Sequence, residues 1–163
     1  MSKPKIVLLV GLPGSGKSTW IAQRGIRAIS SDEVRQILTG DATNQSVNSR
    51  VFETVWYLLS QRLAIGMLEN YVDATSLTKE ERLPYIDMAR QFDAEIEAIF
   101  FDVPLEICRQ RNLARARVVP AEAMDKLAAK LQPPSEAEGF AKITVVQNQM
   151  SATAPAAAMP PDL

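Results

Sequence analysis

The sequence contains no histidine. That absence removes Ser-His-Asp triads, histidine general bases and histidine-ligated metals. The single cysteine, Cys108, has no partner for an internal disulfide and, without histidines, cannot build a zinc site. Its neighbours Leu105 and Ile107 suggest a helix face, so a packed, idle thiol is expected. Long hydrophobic runs are also missing. The strongest, Ile6 to Val10, has the length of a strand and falls far short of a bilayer. The N-terminus, MSKPK, leads straight into that strand and then into glycines, which is the order of a buried strand rather than of a signal peptide. A cytoplasmic protein with no membrane partner is expected. A large excess of one charge is lacking too, the net charge being −1, so the surface as a whole is no attractor for nucleic acid. Positive charge is instead local: Arg109, Arg111, Arg115 and Arg117 crowd together. Any general base in this chain must be a carboxylate or a lysine.

What is present is an alternation. Short apolar runs are separated by longer amphipathic stretches, the pattern of a parallel sheet with helices on its faces. A chain of 163 residues accommodates one such domain. Strands are expected at Lys5–Val10, Ala28–Ile29, Tyr71–Ala74, Glu97–Phe101 and Ile143–Val146. The longest helix is expected over about Ser46–Glu69, on an apolar stripe of Phe52, Trp56, Leu59, Leu63 and Met67. Ser30 with Glu33, and Thr78 with Glu81, read as capping boxes. Pro84 falls inside the helix expected over Thr78–Phe92, where it is expected to kink or delay it. Two more helices are expected over Pro104–Arg115 and Pro120–Leu131. The domain is expected over 1–146, with a lid near 111–120. Residues 147–163, Ala, Pro and Met without period, read as a disordered tail.

Gly11-Leu12-Pro13-Gly14-Ser15-Gly16-Lys17-Ser18-Thr19 fits GxxxxGK[ST], between an apolar strand and a helix start. Glycines there let backbone N–H groups turn inward around phosphates, and the helix N-terminus adds partial positive charge. Gly11, Pro13, Gly14, Ser15, Gly16, Lys17, Ser18 and Thr19 are therefore the expected nucleotide site, with ATP as the nucleotide. Lys17 reaches the β- and γ-phosphates, and the Ser18 hydroxyl ligates magnesium. No NKxD segment for guanine recognition is present, which argues against a GTPase.

In an open parallel sheet, ligands sit at the carboxyl ends of the strands. Asp32 follows the second strand and Asp73 ends the third. On the residues alone, Asp32 is either the base that accepts a hydroxyl proton or an acid at a helix N-terminus paired with Arg35. Arg35 would orient it or grip an acceptor phosphate. Asp73 would hold magnesium through water, or simply close a turn. Arg111 and Arg115, four apart, share a helix face. Beside the loop Ala116–Pro120 they either close over the nucleotide phosphates or remain solvated. Trp56 reads as core before it reads as a base-stacking platform.

The segments GLPGSGKSTW, SSDEVR, VDATSLTKEER and FFDVPLEICRQRNLARARVVP, in this order, resemble the kinase domains of the polynucleotide kinase family. The similarity runs from about Lys5 to Val146. It implies an α/β P-loop kinase sandwich of three layers, with a five-stranded parallel sheet of order 2-3-1-4-5. It further implies that Asp32 is the general base, that Arg35 contacts the acceptor phosphate, and that Arg115 is a catalytic lid residue on the ATP phosphates. Arg111 occupies a second basic position, and Asp73 with Thr75 matches a DxT segment beside the magnesium site. The partners implied are ATP, magnesium and a nucleic-acid 5′ end.

Two features depart from that pattern. No phosphatase or ligase domain accompanies the kinase segments in this sequence, so an end-healing role would be kinase-only or shared with a partner. The segment Leu38–Asn48 carries no lysine, so a thin basic surface is expected. A small-molecule acceptor (nucleoside, sugar or antibiotic) is the alternative, and an ATP-dependent switch without an acceptor is the alternative of another class. VDATSL stands where an adenylate kinase would carry a DGFPR-like segment.

Overall fold

The computed structural model describes residues 2–147; the segment expected to be disordered lies outside the described residues from 148 onward. Five parallel strands stand in the order β2-β3-β1-β4-β5, as expected. They are β1 (Lys5–Val10), β2 (Ala28–Ser30), β3 (Glu69–Asp73), β4 (Glu95–Asp102) and β5 (Lys142–Gln147). The helices are α1 (Lys17–Gln23), α2 (Ser31–Thr39), α3 (Asn48–Ala64), α4 (Lys79–Gln91), α5 (Leu105–Leu113) and α6 (Ala121–Lys130), followed by a 3₁₀ turn at Glu136–Glu138.

Register fixes where a ligand can sit. Leu9 lies beside Asp73, and Asp73 beside Ser30. The carboxyl ends of β1, β3 and β2 therefore finish level. Gly11, Asp73 and the start of α2 share one edge of the sheet, where the strand order reverses on either side of β1.

Parallel strands are covered on both faces, so side chains from both sides of β1 are apolar and buried. Ile6, Leu8 and Val10 pack with Val72 against Val51, Val55 and Leu59 of α3 and Tyr85 and Ile86 of α4. Val7 and Leu9 pack with Ile99 and Phe101 against Trp20 and Ile21 of α1. A third cluster joins Leu12 of the glycine loop to Leu77, Val103, Cys108 and Met124. The Cys108 thiol is fully buried, and burial raises its pKa, in line with a packed and idle group.

The N-cap half of each expected capping box forms, while the Glu81 carboxylate accepts the Leu77 N–H rather than that of Thr78. Ser30 Oγ accepts from the Glu33 N–H at 3.2 Å, and Thr78 Oγ1 from the Glu81 N–H at 3.0 Å. Several boundaries differ from expectation, β3 and β4 among them at Glu69–Asp73 and Glu95–Asp102. Helix α3 ends at Ala64, not Glu69, because Gly66 adopts a φ of 88°, a left-handed conformation that glycine takes without a Cβ penalty. Its buried stripe is Val51, Val55, Leu59 and Leu63, while Phe52 and Trp56 are only half-buried and Met67 is exposed. Helix α5 ends at Leu113, which leaves Arg115 in an irregular segment. Strand β5 runs on to Gln147, opposite Asp102. Pro84, sixth in α4, gives up one backbone donor without ending the helix.

One buried ion pair braces the edge of the sheet. Arg82 is fully buried and donates through Nε and Nη2 to Glu138 at 2.8 and 3.0 Å, and through Nη1 to the Ser76 carbonyl at 2.9 Å. Burial opposes the Glu138 carboxylate, but the hydrogen bonds from Arg82 and the Ser135 N–H outweigh it and hold its pKa below the usual value. Ser76 has a φ of 48°, a region that non-glycine residues enter at a cost. The guanidinium anchors the turn that follows Asp73.

Candidate active site

The glycine loop wraps the start of α1 as its sequence requires. Gly14 and Gly16 have φ of 83° and 104°, and a Cβ on Gly14 would lie 2.5 Å from the Cys108 carbonyl oxygen. Both positions therefore need glycine. The Lys17 ammonium, buried with 8% of the residue exposed, folds back onto the carbonyls of Gly11 and Leu12 at 2.8 and 2.9 Å. Burial pushes its pKa down to about 8; Asp73 opposes that shift and Arg115 adds to it. The loop thus holds a desolvated cation that gives up its proton more readily than an ordinary lysine.

Ser18 Oγ donates to Asp73 Oδ2 at 2.9 Å, across the gap between α1 and β3. A hydroxyl and a carboxylate at this separation fit magnesium, a hard cation that takes oxygen ligands, keeps several waters and uses few protein groups beside substrate phosphates. The expected pair is therefore in place. Thr75 accepts the Gly11 N–H through its carbonyl at 3.1 Å, which ties the DxT turn to the loop.

Asp32 stands at the first turn of α2 with both carboxylate oxygens engaged. Oδ1 accepts from Arg35 Nη1 at 2.9 Å, and Oδ2 from Arg117 Nη1 at 3.1 Å. Arg35 is 4% exposed and also donates through Nη2 to Asn48 Oδ1 at 2.9 Å. Burial lowers its pKa, with Asp32 opposing. The Nε atoms of Arg35 and Arg117 are buried with no hydrogen-bond partner. Two guanidiniums on one carboxylate leave a local surplus of positive charge beside the candidate base.

The other lid arginines divide as follows. Arg111 Nη1 donates to the Ser15 carbonyl at 3.3 Å, against the glycine loop. Arg115 lines the same cleft, and its charge depresses Lys17. Arg109 points elsewhere and pairs with Glu106 and Asp125. The lid base is stapled by Asn112, which donates to the Val119 carbonyl at 2.7 Å and accepts its N–H at 2.9 Å.

Lys17, Ser18, Asp32, Arg35, Asn48, Asp73, Arg111, Arg115 and Arg117 line one open cleft of about 1710 Å³. The structure brings together Lys17, Ser18, Asp32, Arg35, Asp73, Arg111 and Arg115, whereas Arg109 of the arginine cluster stays outside the cleft. It adds Arg117, Asn48 and Asn112, and it adds Lys126 and Lys130 of α6 to the wall of the cleft. The segment Leu38–Asn48 carries no lysine, and the lysines of this cleft besides Lys17 are Lys126 and Lys130. Arg117 had a signal, as fourth member of the arginine cluster, but an irregular loop has no period to show which way it faces.

Comparison with known proteins identifies the architecture. The profile of the AAA domain family matches residues 6–134. The chain belongs to that family. Within it, the chain is 27% identical over 147 residues to the bifunctional polynucleotide phosphatase/kinase of Schizosaccharomyces pombe, covering 87% of this chain and 33% of that protein. It is 24% identical over 138 residues to the L-seryl-tRNA(Sec) kinase of Methanococcus maripaludis, covering 79% of this chain and 53% of that protein. The chain thus spans a third to about half the length of these curated relatives. A chain in the structure of the Pnkp1/Rnl/Hen1 RNA repair complex superposes with a TM-score of 0.69 at 25% identity, covering 81% of this chain and 45% of that one. The family's relatives thus include polynucleotide kinases, and the fold is that of a P-loop kinase. No helix among the described residues is long and apolar enough to cross a membrane.

Proposed function

We propose that this chain is an ATP-dependent kinase that transfers the γ-phosphate to the 5′-hydroxyl of a polynucleotide. The observation that carries this reading is Asp32 gripped by Arg35 and Arg117 at the edge of the cleft. A carboxylate beside the glycine loop supplies a base. Two arginines around it supply an anion site that a neutral sugar acceptor would not need, whereas the phosphate next to a strand's reacting end fits it. Similarity to the S. pombe phosphatase/kinase supports the same acceptor.

The residues divide the work. Lys17, Arg111, Arg115 and the loop N–H groups bind and orient the triphosphate and balance charge on the transferring group. Ser18 directly, and Asp73 through water, would hold magnesium, which neutralises charge on the β- and γ-phosphates. Arg35 holds the acceptor phosphate. When the acceptor enters, its hydroxyl takes the place of Arg117 on Asp32 Oδ2, and Arg117 turns with Arg35 onto the acceptor phosphate. The hydroxyl oxygen then bonds to the γ-phosphorus, the bond from that phosphorus to the β–γ bridging oxygen breaks, and the hydroxyl proton passes to Asp32. ADP leaves with the bonding pair.

The test is transfer of labelled γ-phosphate across a panel of 5′-hydroxyl oligonucleotides, nucleosides, sugars and RNA bearing an aminoacyl hydroxyl. Preferred transfer to the oligonucleotides is expected. Far more efficient transfer to a nucleoside or sugar overturns the polynucleotide reading in favour of a small-molecule kinase. Tight ATP binding without transfer to any hydroxyl favours a switch. The seryl-tRNA kinase relative is the reason for including the aminoacyl hydroxyl.

A further inference from the structure

The cleft continues past Asp32. Beyond the Arg35–Asn48 hydrogen bond it follows the start of α3, where Asn48, Ser49, Phe52 and Trp56 line one wall. Spacings of three and four place these residues on a single stripe of the helix. The stripe begins polar and becomes aromatic. At 1.5 Å of rise per residue, Phe52 lies about 6 Å and Trp56 about 12 Å along the helix from Asn48. Lys126, Leu127 and Lys130 of α6 line the same cleft, as do Pro84 and Tyr85 of α4.

The aromatic pair is not needed for the core. Val51, Val55 and Leu59 fill that role and are fully buried. Phe52 and Trp56 lie one residue further round the helix and pack together at the core's edge, with centroids 6.5 Å apart. Beneath them Tyr85 is 1% exposed, and burial raises its hydroxyl to about 12, so it remains a donor at any ordinary pH. The Trp56 indole N–H lies near enough to oppose that shift, yet neither it nor the Tyr85 hydroxyl finds a partner in hydrogen-bonding geometry. On the rim Lys126 is exposed and makes no ion pair with any described residue, whereas Lys130 is held by Glu81 at 2.7 Å. An aromatic wall, unpartnered polar atoms beside it and an uncommitted cation in the same cleft combine the elements of a single-strand nucleic-acid groove.

We infer that Phe52 and Trp56 form a nucleobase subsite for the acceptor strand, with Lys126 of the same cleft for a backbone phosphate. This rests on the polynucleotide reading and narrows it: the acceptor is held by a stacked base as well as by the phosphate beside its reacting end. Every base presents a π-face, so the subsite tolerates sequence while requiring a base.

The test compares two 5′-hydroxyl oligonucleotides of equal length, one ordinary and one abasic at its first two nucleotides. With the wild-type protein, loss of the bases should raise the acceptor KM about 5- to 100-fold, with kcat nearly unchanged. Phe52→Leu, which keeps an apolar group against the core, should raise KM for the ordinary strand towards the abasic value and leave KM for the abasic strand unaltered. Equal KM for both strands in the wild type overturns the subsite while the polynucleotide reading stands. An equal penalty from Phe52→Leu on both strands also overturns it, as a structural role would produce that result. Transfer to neither strand overturns the subsite and the polynucleotide reading together. The wild-type comparison needs no variant, so it decides the matter even if Phe52→Leu does not fold.

Discussion

Nine consecutive residues, Gly11 to Thr19, make the glycine-loop end of the cleft, proposed for the nucleotide, whereas the end proposed for the acceptor gathers Asp32, Arg35, Asn48 and Arg117 from α2, α3 and the loop after α5. The first end is built from backbone. Its shape depends on the dihedrals of Gly14 and Gly16 and on a lysine that reaches the carbonyls of its own loop. The second end is built from side chains, and its most distant contact joins residues 85 apart in sequence. A contiguous loop keeps its form whenever its strand and helix form. A distributed centre exists only when the lid lies in the right place. The nucleotide end should therefore respond to substitution as a unit, and the acceptor end piece by piece.

Four experiments break or sharpen that contrast. Lys17→Ala should be the most damaging, lowering phosphotransfer by about 10³-fold, since it removes a preorganised cation from the β- and γ-phosphates. Near wild-type turnover would mean the loop is not the nucleotide site. Asp32→Asn should lower single-turnover transfer by about 10²-fold while ATP affinity, followed by calorimetry, stays within a few-fold. Loss of ATP binding with intact chemistry would make Asp32 a structural acid.

Arg117→Ala should have a smaller effect, raising the acceptor KM about tenfold, the scale of one charge-assisted hydrogen bond, and leaving ATP affinity unaltered. Steady-state kinetics with acceptor and ATP varied separately would check it. A fall in ATP affinity would move Arg117 to the nucleotide end with Arg115.

The smallest effect is that of pH on ATP binding. In the free protein Lys17 loses its proton near pH 8, well below its ordinary value, and phosphates require the charged form. Affinity should be level below that pH and about fourfold weaker at pH 8.5 than at pH 7. Lys17→Ala should flatten the profile. The stability of the free protein carries the opposite sign: the unfolded chain binds more protons between about 8 and 10.5, so this group's contribution to stability rises with pH across that window.

The same contrast explains what could be read before the fold was known. The five strands were legible, because buried parallel strands appear as short apolar runs, and their order followed from the family resemblance. The glycine loop itself was legible because its chemistry and its sequence are contiguous. Helix α3 was harder. Phe52, Trp56 and Met67 offer one helical stripe and Val51, Val55 and Leu59 another, and only packing against the sheet selects the second. The apolar run Ile65–Leu68 also hides a left-handed turn at Gly66. Arg117, Asn112 and Asn48 escaped because each acts through a partner remote in sequence or on an irregular segment. Lys126 and Lys130, four apart on α6, look like a solvated face until the fold sets them in the lining of the same cleft as α3.

The Arg82–Glu138 pair bears on how this protein may be cut. The family profile ends at residue 134, before both Glu138 and β5. A fragment trimmed at that border would strand a fully buried guanidinium without its carboxylate, a loss of about 3–5 kcal/mol against a typical total of about 5–15. It would also bare the outer edge of β4, whose backbone groups now pair with β5. The border drawn by shared ancestry stops short of both the balancing carboxylate and the last strand.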